Sequence, residues 1–181
     1  MVWVVEAERA GRPWPARAFP ALALAVLVRP DVTVAYVVVL AFCAWREGPG
    51  APAFRRGGLL LLATWAGLLA FGYLYYGDPL PNTYYLKATG SPRMLVLQSG
   101  LRQTVAFIAV VSPLPVLLAA AVLAPRTRRD RALTLAVTVV LAAFAYNLWV
   151  GGDWIDRLPS RFVSPVMPIF IALLVGAWWL V

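Results

Sequence analysis

Long apolar runs alternate with short polar segments along this chain, and the runs set its organisation. Two of them, residues 59–76 and 133–150, approach the roughly 18–20 residues that an α-helix needs to cross a bilayer. Further apolar runs occupy residues 16–28, 32–45, 102–124 and 162–181. Because the bilayer core offers the backbone no hydrogen-bond partners, we expect these runs to be helical. The pattern predicts an all-α, polytopic helical membrane protein with about six membrane segments in a single domain, residues 1–181.

Residues 16–45 leave two arrangements open, because Arg29, Pro30 and Asp31 interrupt the apolar sequence there. The segment is either two short helices that turn at these residues or one long helix kinked at Pro30. We prefer two helices, because a charged pair in the middle of one span is costly.

Two polar segments differ from ordinary connecting loops. The first polar segment, residues 75–90, is YYGDPLPNTYYLKATG, and the second polar segment, residues 151–168, is GGDWIDRLPSRFVSPVMP. Both mix ionisable side chains with aromatic and turn-forming residues, whereas the loops at 46–58 and 125–131 are mainly arginine-rich. We expect the two polar segments to meet on one membrane face and to form a site there.

The distribution of Lys and Arg predicts the orientation in the membrane. Segments 1–17, 46–58 and 125–131 hold three, three and four of the 16 Lys and Arg residues. Because cytoplasmic loops carry the excess of positive charge, these three segments are predicted to be cytoplasmic. Both polar segments are then extracytoplasmic loops, and the C-terminus is cytoplasmic. The net charge of +8 is explained by this topology and by contact with anionic lipid.

Composition supports the membrane prediction and excludes several kinds of site. The chain is 62% hydrophobic and 13% charged, whereas a soluble domain is about half apolar and about a quarter charged. It has no histidine, which is the commonest metal ligand and the usual general base near neutral pH. The single cysteine, Cys43, cannot form an internal disulfide. No phosphate-binding glycine loop or hydrolase triad is present, and we predict no cofactor, no metal site and no nucleic-acid partner.

Two aspartates in the polar segments are candidate binding residues. Asp78 stands between a glycine and a proline, so its carboxylate is predicted to be held in a turn at the membrane surface, and Asp153 follows two glycines in a similar setting. A carboxylate at this position can bind a sugar hydroxyl, a cation or a proton in transit. The alternative is structural, because Gly-Asp turns also cap helices.

Three cations in the same segments are candidates for phosphate binding. Lys87, Arg157 and Arg161 lie where a lipid phosphate would meet the protein at the headgroup level. The structural alternative is that such side chains extend along the span and reach lipid phosphates as simple anchors.

The sequences of the two polar segments, and their order along the chain, resemble those of a known family, the GT-C type polytopic membrane glycosyltransferases. The chain looks closest to bacterial cell-wall arabinofuranosyltransferase-like proteins, in which a YGDxxPNT segment and a GGD…RF…P…P segment mark successive outer loops. YYGDPLPNTYYLK and GGDWIDRLPSRFVSPVMP are similar to these two segments. Arg29-Pro30-Asp31 resembles the RPEG junction upstream, with Val32 in place of the glycine.

The resemblance implies a function. Such enzymes transfer a sugar from a polyprenyl-phosphate donor to an extracytoplasmic cell-envelope acceptor at the bacterial cytoplasmic membrane, with inversion. By matched motif it implies donor or acceptor binding for Asp78, Asn82, Thr83, Asp153 and Arg161. The family's principal catalytic aspartate precedes the matched region, so the chain is expected to be the C-terminal part of such an enzyme. No catalytic residue is therefore assigned, and the expected partners are membrane lipid, the lipid-linked sugar and the missing N-terminal half.

Two other functional classes stay open. A non-catalytic membrane subunit has the same helical frame, and a transporter piece is the second alternative. Transporters place ionisable residues within spans and often consist of repeated halves, whereas the ionisable residues here lie mostly at the ends of the apolar runs.

Overall fold

A computed structural model of the chain describes residues 18–80, 85, 92–111, 116, 130–152 and 162–178. Every regular element in these residues is a helix, which confirms the all-α prediction for them. The chain divides into two compact units, Met1–Pro92 and Arg93–Val181, and each unit is described by itself. The single domain predicted from the sequence stays a prediction.

The described residues of the first unit form three α-helices and a short 3-10 turn. Helices α1, α2 and α3 and the turn cover Ala18–Val28, Thr33–Glu47, Pro52–Tyr76 and Pro30–Val32. The ring centroids of Phe19 and Tyr36 are 5.8 Å apart, whereas one continuous helix would separate these residues by about 25 Å. Helices α1 and α2 therefore fold back on each other, and the preferred arrangement of two short helices is confirmed.

Helix α3 begins earlier than its apolar sequence predicts. Residues 46–58 were expected to form a loop, but the helix starts at Pro52, because proline is well tolerated in the first turn of a helix. Arg55 and Arg56 are consequently helical, with exposed side chains. Gly57 lies at the contact with the other two helices, and its carbonyl accepts a 2.9 Å hydrogen bond from the Tyr36 hydroxyl.

Cys43 lies fully buried in the first unit, on the face of α2 that also buries Val39. We expect a small maleimide to leave Cys43 unmodified in the detergent-solubilised native protein, because the thiol has no access to reagent. Unfolding in denaturant is expected to expose it completely. The measurement is intact-protein mass after timed labelling. A Val37→Cys variant, on an exposed position of the same helix, is the positive control, and equal labelling of both thiols would contradict the packing.

Three α-helices are likewise described in the second unit. Helices α4, α5 and α6 and a 3-10 turn cover Arg93–Val111, Arg131–Val150, Met167–Trp178 and Ser164–Val166. Helices α4 and α5 are antiparallel, because Gly100 lies against Leu148 while Phe107 lies against Phe144. The Phe170 ring of α6 is 5.9 Å from the Phe107 ring and 5.8 Å from the Phe144 ring. This trio of rings joins the three helices.

Two helix boundaries in the second unit differ from those predicted. The helix of the apolar run at residues 102–124 was expected to begin at Arg102, but α4 begins at Arg93 and continues through Arg102 without a break. The last apolar run begins with the 3-10 turn, and α6 starts at Met167. Helix α5 starts where an N-cap allows it, since Asp130 Oδ1 accepts the Ala132 N–H at 2.9 Å.

Two of the described helices, α3 and α5, are long and apolar enough to cross a membrane. Helices α1, α2 and α6 have 11, 15 and 12 residues, which correspond to about 16–23 Å, less than the hydrocarbon thickness of about 30 Å. The prediction of about six spans is therefore not met by the described helices, and the larger number stays a prediction.

Candidate functional site

Asp78 lies in a turn directly after α3. Gly77 ends the helix with φ of 74°, and its N–H donates to the Tyr73 carbonyl at 2.9 Å. Oδ1 of Asp78 accepts two hydrogen bonds, from the Leu80 N–H at 3.0 Å and from the Tyr85 hydroxyl at 2.8 Å. The predicted turn is confirmed. It follows a helix C-terminus, so the alternative that Asp78 caps a helix N-terminus does not apply.

A close backbone approach fixes this turn against α3. A Cβ added at Gly72 would lie 2.8 Å from the Pro79 carbonyl oxygen and 3.1 Å from that of Asp78. Both contacts are with backbone atoms, so a side chain at this position would require the turn to move. The chain after Gly77 therefore folds back along the last turns of the helix.

An aromatic cluster surrounds the same end of α3. The ring of Tyr75 stacks on the ring of Phe71, with 5.4 Å between the centroids. The ring of Tyr76 meets the ring of Tyr75 edge-on, with 4.7 Å between the centroids. All three side chains are exposed. Amphipathic rings are enriched where a membrane meets water, so the cluster suits a helix end at that level.

The other sequence candidates lie outside the residues that the structure describes. These are Asn82, Thr83, Lys87, Asp153, Arg157 and Arg161. Their roles, and the convergence of the two polar segments, stay predictions.

The start of the second polar segment is described and packs on α4. Gly151 and Gly152 both have positive φ, of 86° and 71°, and their N–H groups donate to the Asn147 carbonyl at 3.1 and 3.0 Å. A Cβ on Gly151 would lie 2.7 Å from Val96, and one on Gly152 would overlap the Gln103 amide. The positive φ therefore favours glycine at both positions, and at Gly151 the nearby Val96 backbone also leaves little space for a side chain.

A buried polar contact beneath these glycines was not anticipated from the sequence. Asn147 Nδ2 donates to Thr104 Oγ1 at 3.2 Å, and Thr104 Oγ1 donates to the Gly100 carbonyl at 2.8 Å. Within the described part of the chain, Asn147 Oδ1 has no hydrogen-bond partner. The signal that was available is an amide side chain inside an apolar run, which usually marks contact with a neighbouring helix.

An ion pair in the 3-10 turn between α1 and α2 was also missed as a site feature. Arg29 Nη2 donates to Asp31 Oδ2 at 2.8 Å, and Arg29 Nε donates to Oδ1 at 3.2 Å. The sequence identified these residues as a junction between helices and not as a pair with two parallel hydrogen bonds.

Comparison of the chain with models of protein families, with curated proteins and with solved structures finds no match in any of the three. In the described ranges, no three His, Cys, Asp or Glu side chains are grouped so that they could hold a metal ion. The site is therefore defined by its own geometry, which is a carboxylate fixed at the end of a long apolar helix.

Proposed function

We propose that the chain is part of a GT-C type membrane glycosyltransferase that transfers a sugar from a polyprenyl-phosphate donor to an extracytoplasmic cell-envelope acceptor. In this proposal the protein lies in the bacterial cytoplasmic membrane, with its C-terminus in the cytoplasm. The observation that supports it most is the Asp78 turn, which stands at the end of a helix of spanning length in a sequence similar to YGDxxPNT.

The exposure of α3 favours a membrane over a soluble core. Only 11% of the apolar stretch of α3 is buried within the protein, and only 28% of the apolar stretch of α5 is buried. The core helix of a soluble protein has comparable length and hydropathy but is mostly buried. Leu62 and Leu74, at 69% and 83% exposure, are side chains that lipid would cover at no cost.

The chemistry of sugar transfer suits the residues of the two polar segments. The leaving phosphate gains charge, so cations at the headgroup level stabilise the transition state, and we assign this role to Lys87, Arg157 and Arg161. The sugar hydroxyls need hydrogen-bond acceptors. Because Leu80 and Tyr85 orient Asp78 through Oδ1, we assign Oδ2 to the ligand. Asn82, Thr83 and Asp153 are proposed as further residues that bind the donor or the acceptor.

An Asp78→Asn variant tests the role of this carboxylate. Asparagine keeps an oxygen that can accept the Leu80 N–H, so the turn should persist while the charge is lost. We expect binding of a radiolabelled polyprenyl-phosphate sugar to the protein in nanodiscs to weaken about tenfold or more, because a hydrogen bond to a charged group is removed. Transfer, where an acceptor is supplied, should fall at least as much.

Asp130→Asn is the matched control for that experiment. Asp130 caps α5, and asparagine caps a helix about as well as aspartate, so donor binding should be unchanged. If the wild-type protein binds no polyprenyl-phosphate sugar of any kind, the glycosyltransferase proposal fails. Equal binding by wild type and Asp78→Asn would remove Asp78 from the site.

One observation favours a transporter piece as the second candidate. Thr33, next to the ion pair of Arg29 and Asp31, contacts α3 at Trp65, near the middle of that helix. Charged residues within a span are typical of transport pathways. Uptake of labelled solute into proteoliposomes that contain no lipid-linked sugar would support this candidate over the transferase.

A further inference from the structure

The hairpin formed by α1 and α2 runs beside the first half of α3 and turns near its middle. At the open end of the hairpin, a Cβ on Gly57 would lie 2.7 Å from the Phe19 ring and 3.0 Å from Leu40. Near the turn, Trp65 Nε1 donates to Thr33 Oγ1 at 3.1 Å. Helix α3 continues for about 16 Å beyond Trp65. The hairpin therefore covers about half of the helix.

Burial along α3 follows the same division, although exposure does not, because Leu59 and Leu62 in the covered half are also exposed. Its buried residues, Gly57 and Thr64, both lie in the half that the hairpin covers. Beyond the turn of the hairpin, large side chains such as Phe71 and Leu74 are exposed.

The turn of the hairpin places two charged side chains beside the middle of α3. The side chains of Arg29 and Asp31 are 35% and 11% exposed, and Pro30 between them is exposed. At the middle of a membrane, ionised side chains face the protein interior or a water-filled cavity, because hydrocarbon solvates neither charge. The guanidinium is paired with Asp31 but is still partly exposed, so water or polar groups at the level of Trp65 would stabilise it more than lipid chains do.

The Asp78 turn folds back onto the same face of α3. It contacts the helix at Gly72, which follows Trp65 by seven residues, or about two helical turns. Residues seven apart share one face of a helix. The ion pair and the Asp78 turn therefore bound a section of that face about 10 Å high.

We propose that α1 and α2 form a re-entrant hairpin, and that the ion pair of Arg29 and Asp31 is the floor of a water-filled recess open to the membrane face where α3 ends. The Asp78 turn borders the mouth of the recess. The recess takes a polar, hydroxyl-bearing group and not a lipid chain, because its floor and mouth offer hydrogen-bond donors and acceptors. This inference rests on the membrane insertion proposed above. It extends the candidate site from Asp78 at the end of α3 to the ion pair near the middle of that helix.

Thiol labelling from each side of the membrane tests the recess. Native Cys43 can be retained, because it is buried and should not react. A Pro30→Cys variant places a thiol on the floor, and Tyr76→Cys and Arg55→Cys variants report the two ends of α3. A Leu62→Cys variant gives an exposed position at a similar depth on the lipid-facing side. Vesicles of both orientations are treated with a charged, membrane-impermeant methanethiosulfonate.

We expect the Pro30→Cys variant to react from the same side as Tyr76→Cys, within about tenfold of its rate, because the thiolate that reacts forms only in water. The Leu62→Cys variant should stay unmodified. Reaction of Pro30→Cys from the Arg55→Cys side, or no reaction, overturns the recess while leaving membrane insertion intact. Fast reaction of Leu62→Cys shows that α3 is not in lipid, which overturns both the recess and the proposed function. Val32→Cys replaces Pro30→Cys if the latter does not fold.

Discussion

Replacing Gly100 by leucine is expected to separate α4 from α5 and to lower the stability of the second unit strongly. A Cβ at this position would lie 2.7 Å from the Leu148 carbonyl oxygen and 3.0 Å from that of Asn147. Because both neighbours are backbone, the helices must move apart. The displacement would also stretch the hydrogen bond between Asn147 and Thr104, which is buried.

The expected loss is about 2 kcal/mol or more, since overpacking costs about 1–3 kcal/mol and a lengthened buried hydrogen bond adds to it. The higher helix propensity of leucine offsets up to about 1 kcal/mol of this. The measurement is thermal unfolding in detergent, followed by circular dichroism at 222 nm. A fall of the midpoint by roughly 10 °C is expected.

A Gly67→Leu variant separates the steric effect from helix propensity. Gly67 is also inside a helix, but nothing lies within 4 Å of a Cβ placed there. The same substitution should therefore leave the midpoint unchanged or raise it slightly. If Gly100→Leu and Gly67→Leu unfold at the same temperature, the close approach of α4 and α5 is wrong.

A feature of the fold could be predicted from the sequence when its cause lies within a few neighbouring residues. The helical nature of the chain and the turn at Asp78 follow from apolar runs and from a Gly-Asp-Pro sequence, both of which act within a few residues. The start of α3 at Pro52 was missed because the arginines that follow suggest a loop, although the backbone there has no reason to leave the helix. Arg102 misled in the same way, since one charge does not stop a helix.

The features that escaped prediction are contacts between elements far apart in sequence. Nothing in the order of residues places Thr33 beside Trp65, and this contact determines how far along α3 the hairpin extends. The pairing of Asn147 with Thr104 depends likewise on the register of two helices. Charge counting does not locate the turn at Arg29 along α3, whereas the neighbouring contact of Thr33 with Trp65 places it near the middle of that helix.

Replacing Gly72 by leucine is expected to displace the Asp78 turn while leaving α3 intact. The added side chain would meet the carbonyls of Asp78 and Pro79, and the turn is the softer of the two elements. Helix propensity itself improves, so the body of α3 should not unfold. Hydrogen exchange measured by mass spectrometry should show the Leu80 amide, which donates to Asp78, exchanging at least about tenfold faster.

The functional consequence of Gly72→Leu separates position from charge at the site. Binding of the lipid-linked sugar should fall about as far as in Asp78→Asn, although the carboxylate is still present, because it no longer has a fixed orientation. Gly67→Leu, five residues earlier on the same helix and with open space around it, should change neither exchange nor binding. Faster exchange at Leu80 with full donor binding would show that the turn is not part of the site. Unchanged exchange would show that Asp78 and Pro79 do not approach α3 as described.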